Sequence, residues 1–147
     1  MTKPSSKHQR GAALVEFALC ASLLLLLLFG ILDVGLLLGD RASLGAAARE
    51  GARALAVGDT PSDATNRAIA VSGLPLTSAN VALTESIPDA NGNPTVWVTV
   101  GTNAGQNDAT SGDFVCATVT YDHPLITSLV FTGGTKTLTA SLMMRRE

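Results

Sequence analysis

The sequence predicts an α+β chain in which a long N-terminal helix, half in a membrane and half outside it, precedes a short second helix and a small antiparallel sheet of about four strands. Three observations carry this. An apolar run extends from Phe17 to Leu32 and on to Leu38, broken only by Asp33 and small residues. Beyond Gly39 the apolar spacing remains helical, and from about Val81 the period falls to two. With 147 residues, the chain has room for one modest domain once the apolar segment is set aside.

The first eleven residues carry Lys3, Lys7 and Arg10 and no acid, which holds the N-terminus in the cytoplasm by the positive-inside rule and sends the C-terminal part outward. Phe17 to Gly39 spans roughly 34 Å as a helix, enough to cross a hydrocarbon layer of roughly 30 Å. The mean hydropathy of +0.32 comes largely from this region. A cleavable secretory signal has a shorter apolar core followed by a small-x-small site. Neither feature is present, so the helix is retained and the chain crosses the membrane once.

Two acids lie in this segment. Measured from Arg10, Glu16 is roughly 9 Å deeper and Asp33 roughly 34 Å along, so Asp33 is expected at the outer interface as a solvated boundary residue. Glu16 has no such route to water. A central acid costs about 2.5 to 3.5 kcal/mol on insertion scales, so Glu16 calls for a cationic or hydrogen-bonding partner. A cut after Gly11 supplies one: it frees an amine on Ala12, one helical turn from Glu16, and removes the basic leader. If the chain is cut there, Gly11 and Ala12 are the processing site, and Glu16 with Phe17 heads the helix left for assembly. The divisions are residues 1–11 as leader, 12–39 as the transmembrane part of the helix, 40–58 as its outer continuation and 59–147 as the soluble α+β domain.

The continuation rests on Leu44, Ala47, Ala48, Ala52 and Leu55, with Arg41, Arg49, Glu50 and Arg53 between them. Small residues recur every four positions at Gly35, Gly39, Ser43, Ala47 and Gly51, a candidate helix-packing face containing one Gly-x-x-x-Gly step. Gly58 can end the helix. Thr60 as N-cap, Pro61 at the first helical position and Asp63 in the first turn then start a second one, expected to run to about Val71 before Gly73-Leu74-Pro75 breaks it.

The strands follow from alternation at Val81 and Leu83; at Val96, Val98 and Val100; at Val115, Ala117, Val119 and Tyr121; and at Leu138, Ala140, Leu142 and Met144. Asn91-Gly92-Asn93-Pro94 predicts a hairpin between the first two, and Phe131-Thr132-Gly133-Gly134 a turn into the last. Gly101 to Gly112 reads as a polar, flexible loop. Trp97 is expected in the core.

Gly11 preceded by a basic leader and followed by Ala12-Ala13-Leu14-Val15 and Glu16-Phe17 at the head of a long apolar helix resembles a class III or type IV prepilin signal. Together with Phe29-Gly30-Ile31-Leu32-Asp33 and Ala47-Ala48-Arg49-Glu50-Gly51-Ala52-Arg53, the chain is similar to the TadE-like proteins, pseudopilins of the tight-adherence pilus. Val119-Thr120-Tyr121, Pro124-Leu125 and the ending Leu138 to Arg145 are similar to the same family's C-terminal part. Val34 departs from it, standing where the family commonly has an aromatic residue. The resemblance implies a minor pilus component of the bacterial inner membrane, cut by a prepilin peptidase. It also implies partners: the major Flp-type pilin, a companion pseudopilin and the inner-membrane pilus platform.

Other function classes have little support. The C-terminal part, residues 59–147, holds eight acids against Arg67, Lys136, Arg145 and Arg146, so no basic face suits nucleic acid. Cys20 and Cys116 show neither Cys-x-x-Cys nor Cys/His spacing, fall on different sides of the expected topology, and predict no disulfide, metal or cofactor. Bulky residues before Cys20 disfavour a lipid anchor there, and a buried thiol is expected instead. An enzyme would have to use Asp122-His123, but His123 before Pro124 reads as a solvated turn residue, and no nucleophile elbow or phosphate loop is present. No small-molecule substrate is implied. The alternative reading is an uncut, signal-anchored single-pass protein whose outer domain binds or adheres.

Overall fold

A computed structural model describes residues 6–101, 107–126 and 134–147, with side chains described from Gly11 onward. Helix α1, Ser6–Val57, is continuous over 52 residues and so runs through both the apolar run and the sheet-bearing domain. Its end is fixed by Gly58, whose φ of 102° is a left-handed conformation that favours glycine. The amide of Gly58 donates to Leu55 O and that of Asp59 to Ala54 O, each at 3.0 Å, the paired bonds of a Schellman cap.

Helix α2, Pro61–Ser72, starts as the sequence predicts: the Thr60 hydroxyl accepts from the Asp63 amide, Pro61 sits in the first turn, and Gly73 at φ 64° closes the far end. A short 3-10 turn, Ser78–Asn80, leads into the sheet. Its strands are β1 (Val81–Ser86), β2 (Val98–Thr99), β3 (Phe114–Pro124) and β4 (Thr135–Arg145), antiparallel throughout in the order β2-β1-β3-β4. The expected α+β class is therefore the observed one.

Alternation explains which sheet face is buried. Val115, Ala117 and Val119 of β3, Leu83 of β1 and Leu138 of β4 turn toward the helices, where Leu44, Ala47, Ala48, Ala52 and Leu55 of α1 and Ala64 and Ala68 of α2 meet them. So many alanines bring the backbones close: a Cβ on Gly51 would lie 3.2 Å from Ala117 Cβ and 3.4 Å from Ala68 Cβ. The outer helix half is thus the spine of the domain's core. Glu50 ties the two helices at the surface, accepting from Arg53 at 2.7 and 3.0 Å and lying 3.8 Å from Arg67, which also reaches Asp59 at 3.1 Å. The Arg53 hydrogen bonds hold the Glu50 carboxyl below its usual range.

Three expectations are corrected by the fold. Trp97 is not a core residue: it is 39% exposed, beside the exposed Ile87, Val96 and Val98. The reason is local. The hairpin forms around Asp89, whose side chain accepts from the Asn91 and Asn93 amides at 2.8 and 2.9 Å, but Pro88 and Pro94 face each other across it and cannot both extend the ladder. Strand β2 consequently keeps only two residues and lies at the sheet edge.

The loop before β3 is also better held than its composition implies. Asn107 Nδ2 donates to Leu55 O and Asp59 O, each at 3.0 Å, and so serves carbonyls at the end of α1. Arg146 in turn donates to Asn107 Oδ1 at 2.8 Å and to Ala109 O. Residues 102–106 of that loop, and Phe131-Thr132-Gly133 of the expected turn, lie outside the described residues.

The cysteines divide. Cys116 is buried in β3 with its Sγ 3.3 Å from Ser141 Oγ, whereas Cys20 is exposed on the helix surface; both are free thiols.

Candidate functional site along the N-terminal helix

The apolar half of α1 stands clear of the domain. From Gly11 to Leu32 nearly every side chain is exposed, Phe17 at 72%, on a helix long and apolar enough to cross a membrane. Gly11 and Ala12, the expected processing position, lie within regular helix, not at its end. A Cβ on Gly11 would meet nothing within 4 Å. Any demand for glycine at that position comes from a partner, since the chain's own packing makes none. Glu16 is exposed, and among the described residues it has neither a hydrogen bond nor an ion pair. The requirement read from the sequence, a partner for this carboxylate, is thus unmet among the described residues.

The five small residues do not share one surface. Ala47 and Gly51 face the domain's own sheet and second helix, Ser43 is half-buried, and Gly35 and Gly39 have open space where a Cβ would stand. A step of four residues drifts about 40° around a helix, so the stripe turns about 160° between Gly35 and Gly51. Only its first two members are available to another molecule.

Two acids lie on the inward face instead. Asp33 is 2% exposed, and its Oδ1 accepts from the Ile126 amide at 2.9 Å. Asp40, one heptad later, places Oδ2 2.6 Å from Nδ1 of His123, which is 4% exposed in β3. The expectations of a solvated Asp33 and a solvated His123 are both overturned, for the same reason: β3 descends along α1 and its end covers both positions. The signal was available, since the Leu37, Leu44, Ala47, Gly51 face of α1 extends back through Asp40 and Asp33. The alternation Val115, Ala117, Val119, Tyr121 likewise reaches His123 next. His123 Nε2 is enclosed without a hydrogen-bond partner among the described residues.

Comparison with known families addresses this helix. Residues 11–53 match the TadE-like protein family. The TadE-like segment begins at Gly11 and ends at Arg53, four residues before α1 does, so it takes in the expected processing position, the apolar run, Asp33, Asp40 and the Glu50–Arg53 pair. The C-terminal likeness around Val119 to Tyr121 and Leu138 to Arg145 lies outside it. The match covers most of α1 and none of the sheet. No curated protein and no solved structure gives a significant match.

Among the described residues, no group of three or more His, Cys, Asp and Glu side chains is placed to hold a metal ion. Three acids do approach one another at the sheet edge, where Glu85, Asp108 and Asp113 border a cavity of about 300 Å³ with Ile87, Val96 and Val98. Burial, then the charges of Asp108 and Asp113, push the Glu85 carboxyl up from its ordinary value, and Arg146 opposes them.

Proposed function

We propose that the chain is a pseudopilin or minor pilin, cut after Gly11 by a prepilin peptidase and contributing to assembly of a tight-adherence pilus used in surface attachment. What supports the reading above all is that the TadE-like segment starts at Gly11 and follows one unbroken helix from that point into the core of the outer domain. Cutting there leaves the span intact and gives Ala12 an amine one turn from the unpaired Glu16. The pair could form within one chain or between neighbours. In this reading the N-terminus is cytoplasmic, the domain lies beyond the inner membrane, and the major Flp-type pilin, a companion pseudopilin and the pilus platform are the partners.

One observation favours a second reading, an uncut anchored domain that binds or adheres: the exposed Ile87, Val96, Trp97 and Val98 at the sheet edge. Intact mass of the chain extracted from membranes that contain an active prepilin peptidase separates the two. The pseudopilin reading expects a product beginning at Ala12; retention of Met1 to Gly11 would leave the anchored domain.

A further inference from the structure

The β3–β4 hairpin points toward the apolar half of α1. His123 stands beside Asp40 and Ile126 beside Asp33, so between these contacts the hairpin descends about 10 Å along α1. At the lower level α1 is still apolar on its outer side, with Leu32, Val34, Leu36 and Leu38 exposed. The hairpin end offers more of the same. Ile126 is 57% exposed, and Leu125 borders, with Val34 and Leu37, a cavity of about 200 Å³ whose accessible lining is almost wholly apolar. Lys136, cross-strand neighbour of His123, lines that cavity too, and among the described residues its ammonium has no hydrogen bond or ion pair. Asp33 also borders it, but its Oδ1 is engaged by the Ile126 amide.

In water this arrangement leaves apolar surface at the hairpin end exposed for no return. At the membrane boundary each part is satisfied. Leu125 and Ile126 continue the apolar surface of the span sideways, and a lysine with a long apolar stem can keep its charge among headgroups while the stem lies lower. The hairpin's cover over Asp33 then keeps a carboxylate from facing hydrocarbon. We propose that the hairpin residues beside Asp33 form a second membrane contact, with Leu125 and Ile126 among the upper acyl carbons of the adjacent leaflet and Lys136 on a phospholipid phosphate. The contact rests on the membrane-spanning reading of α1 and extends it from one helix to a helix with a lateral foot.

The test uses the full chain in vesicles of phosphatidylglycerol and phosphatidylcholine, with Trp97→Phe removing the native indole. Ile126→Trp then reports on the hairpin, and Leu25→Trp, in a separate chain, on the span. With lipids brominated near the top of the acyl chains, the hairpin indole should lose most of its emission and resist aqueous acrylamide. An indole at 126 quenched by acrylamide but not by brominated lipid, while that at 25 responds to deeper bromines, would overturn the contact and leave the span standing. Failure of both indoles to respond to lipid would remove the spanning reading and the contact with it. Lys136→Glu should weaken lipid quenching at 126 in the anionic vesicles and leave it unchanged at 25. Equal quenching at 126 with and without the substitution overturns the phosphate pairing.

Discussion

Asp40 Oδ2 and His123 Nδ1, 83 residues apart in sequence, meet at 2.6 Å across the interface of α1 and β3. The contact pins the strand to the helix just where the helix leaves its apolar span. Removing Asp40 strands His123 in an enclosed site, which costs about 1–3 kcal/mol, whereas the Asp40 carboxylate is partly open to solvent and can be hydrated when His123 is removed. Asp40→Ala should lower the stability of the detergent-solubilised chain by about that amount in thermal or denaturant unfolding, and His123→Ala should lower it less through loss of this contact. The double replacement Asp40→Leu with His123→Leu should cost less than the sum, because neither polar group is then left alone. Additive losses would show that the two side chains do not depend on each other.

Gly51 has no spare space toward the sheet. Gly51→Ala places its methyl 3.2 Å from Ala117 Cβ, and the helix gain of alanine over glycine, about 1 kcal/mol, works against that crowding. Gly51→Val has no such offset and should destabilise the domain by about 1–3 kcal/mol. Gly35→Val and Gly39→Val, where nothing lies within 4 Å, should leave domain unfolding unchanged. Thermal unfolding of the three variants side by side decides this, and equal losses at all three would contradict the split of the stripe.

Glu85 sets a pH dependence whose sign follows from its surroundings. Its carboxyl titrates above the ordinary 4.5 in the folded chain, mainly through burial and then through Asp108 and Asp113. The folded state therefore holds this proton more tightly than the unfolded one, and its contribution to stability is present below pH 4.5 and lost as pH rises through the raised folded value. Glu85→Gln should unfold at a higher temperature than the parent chain near neutral pH, with the advantage vanishing in acid. Melting curves across that range check it, and a variant less stable at neutral pH would sink it.

Processing and assembly should separate. Gly11→Ala adds a methyl that meets nothing in the chain, so its folding should be unchanged while the cut slows. Glu16→Gln leaves the scissile bond alone and removes the carboxylate, so cutting should proceed while incorporation into assemblies falls. Mass spectrometry of the membrane-extracted chain measures the first effect, and recovery of the chain with sheared pili the second. Normal incorporation of Glu16→Gln would confine that carboxylate to its own helix or leave it without a role.

Much of this architecture could be read from apolar spacing and caps. Leu44, Ala47, Ala48, Ala52 and Leu55 marked the outer half of α1, and Thr60, Pro61 and Gly73 fixed both ends of α2. The polar inward positions were harder because a pattern search weights apolar residues. Asp33, Asp40 and His123 keep the period but break the chemistry, and only the descent of β3 along the helix makes their burial tolerable. Trp97 failed in the opposite way. Its alternation with Val96 and Val98 was that of a strand, but Pro88 and Pro94 shortened the ladder and left the indole at an edge. At the candidate site, Gly11, Glu16 and Phe17 are read from sequence order alone, which the fold neither adds to nor alters. The helix-packing stripe was not, since its drift around α1 becomes visible only against the sheet.

The uninterrupted course of α1 also has a mechanical meaning. A helix of 52 residues is about 78 Å long, and the described chain has no joint between the part apolar enough to cross a membrane and the part that anchors the core. A push or twist applied at Glu16 is delivered to Leu44 and Leu55 without a hinge to absorb it, so displacement of the shaft moves the head as one piece.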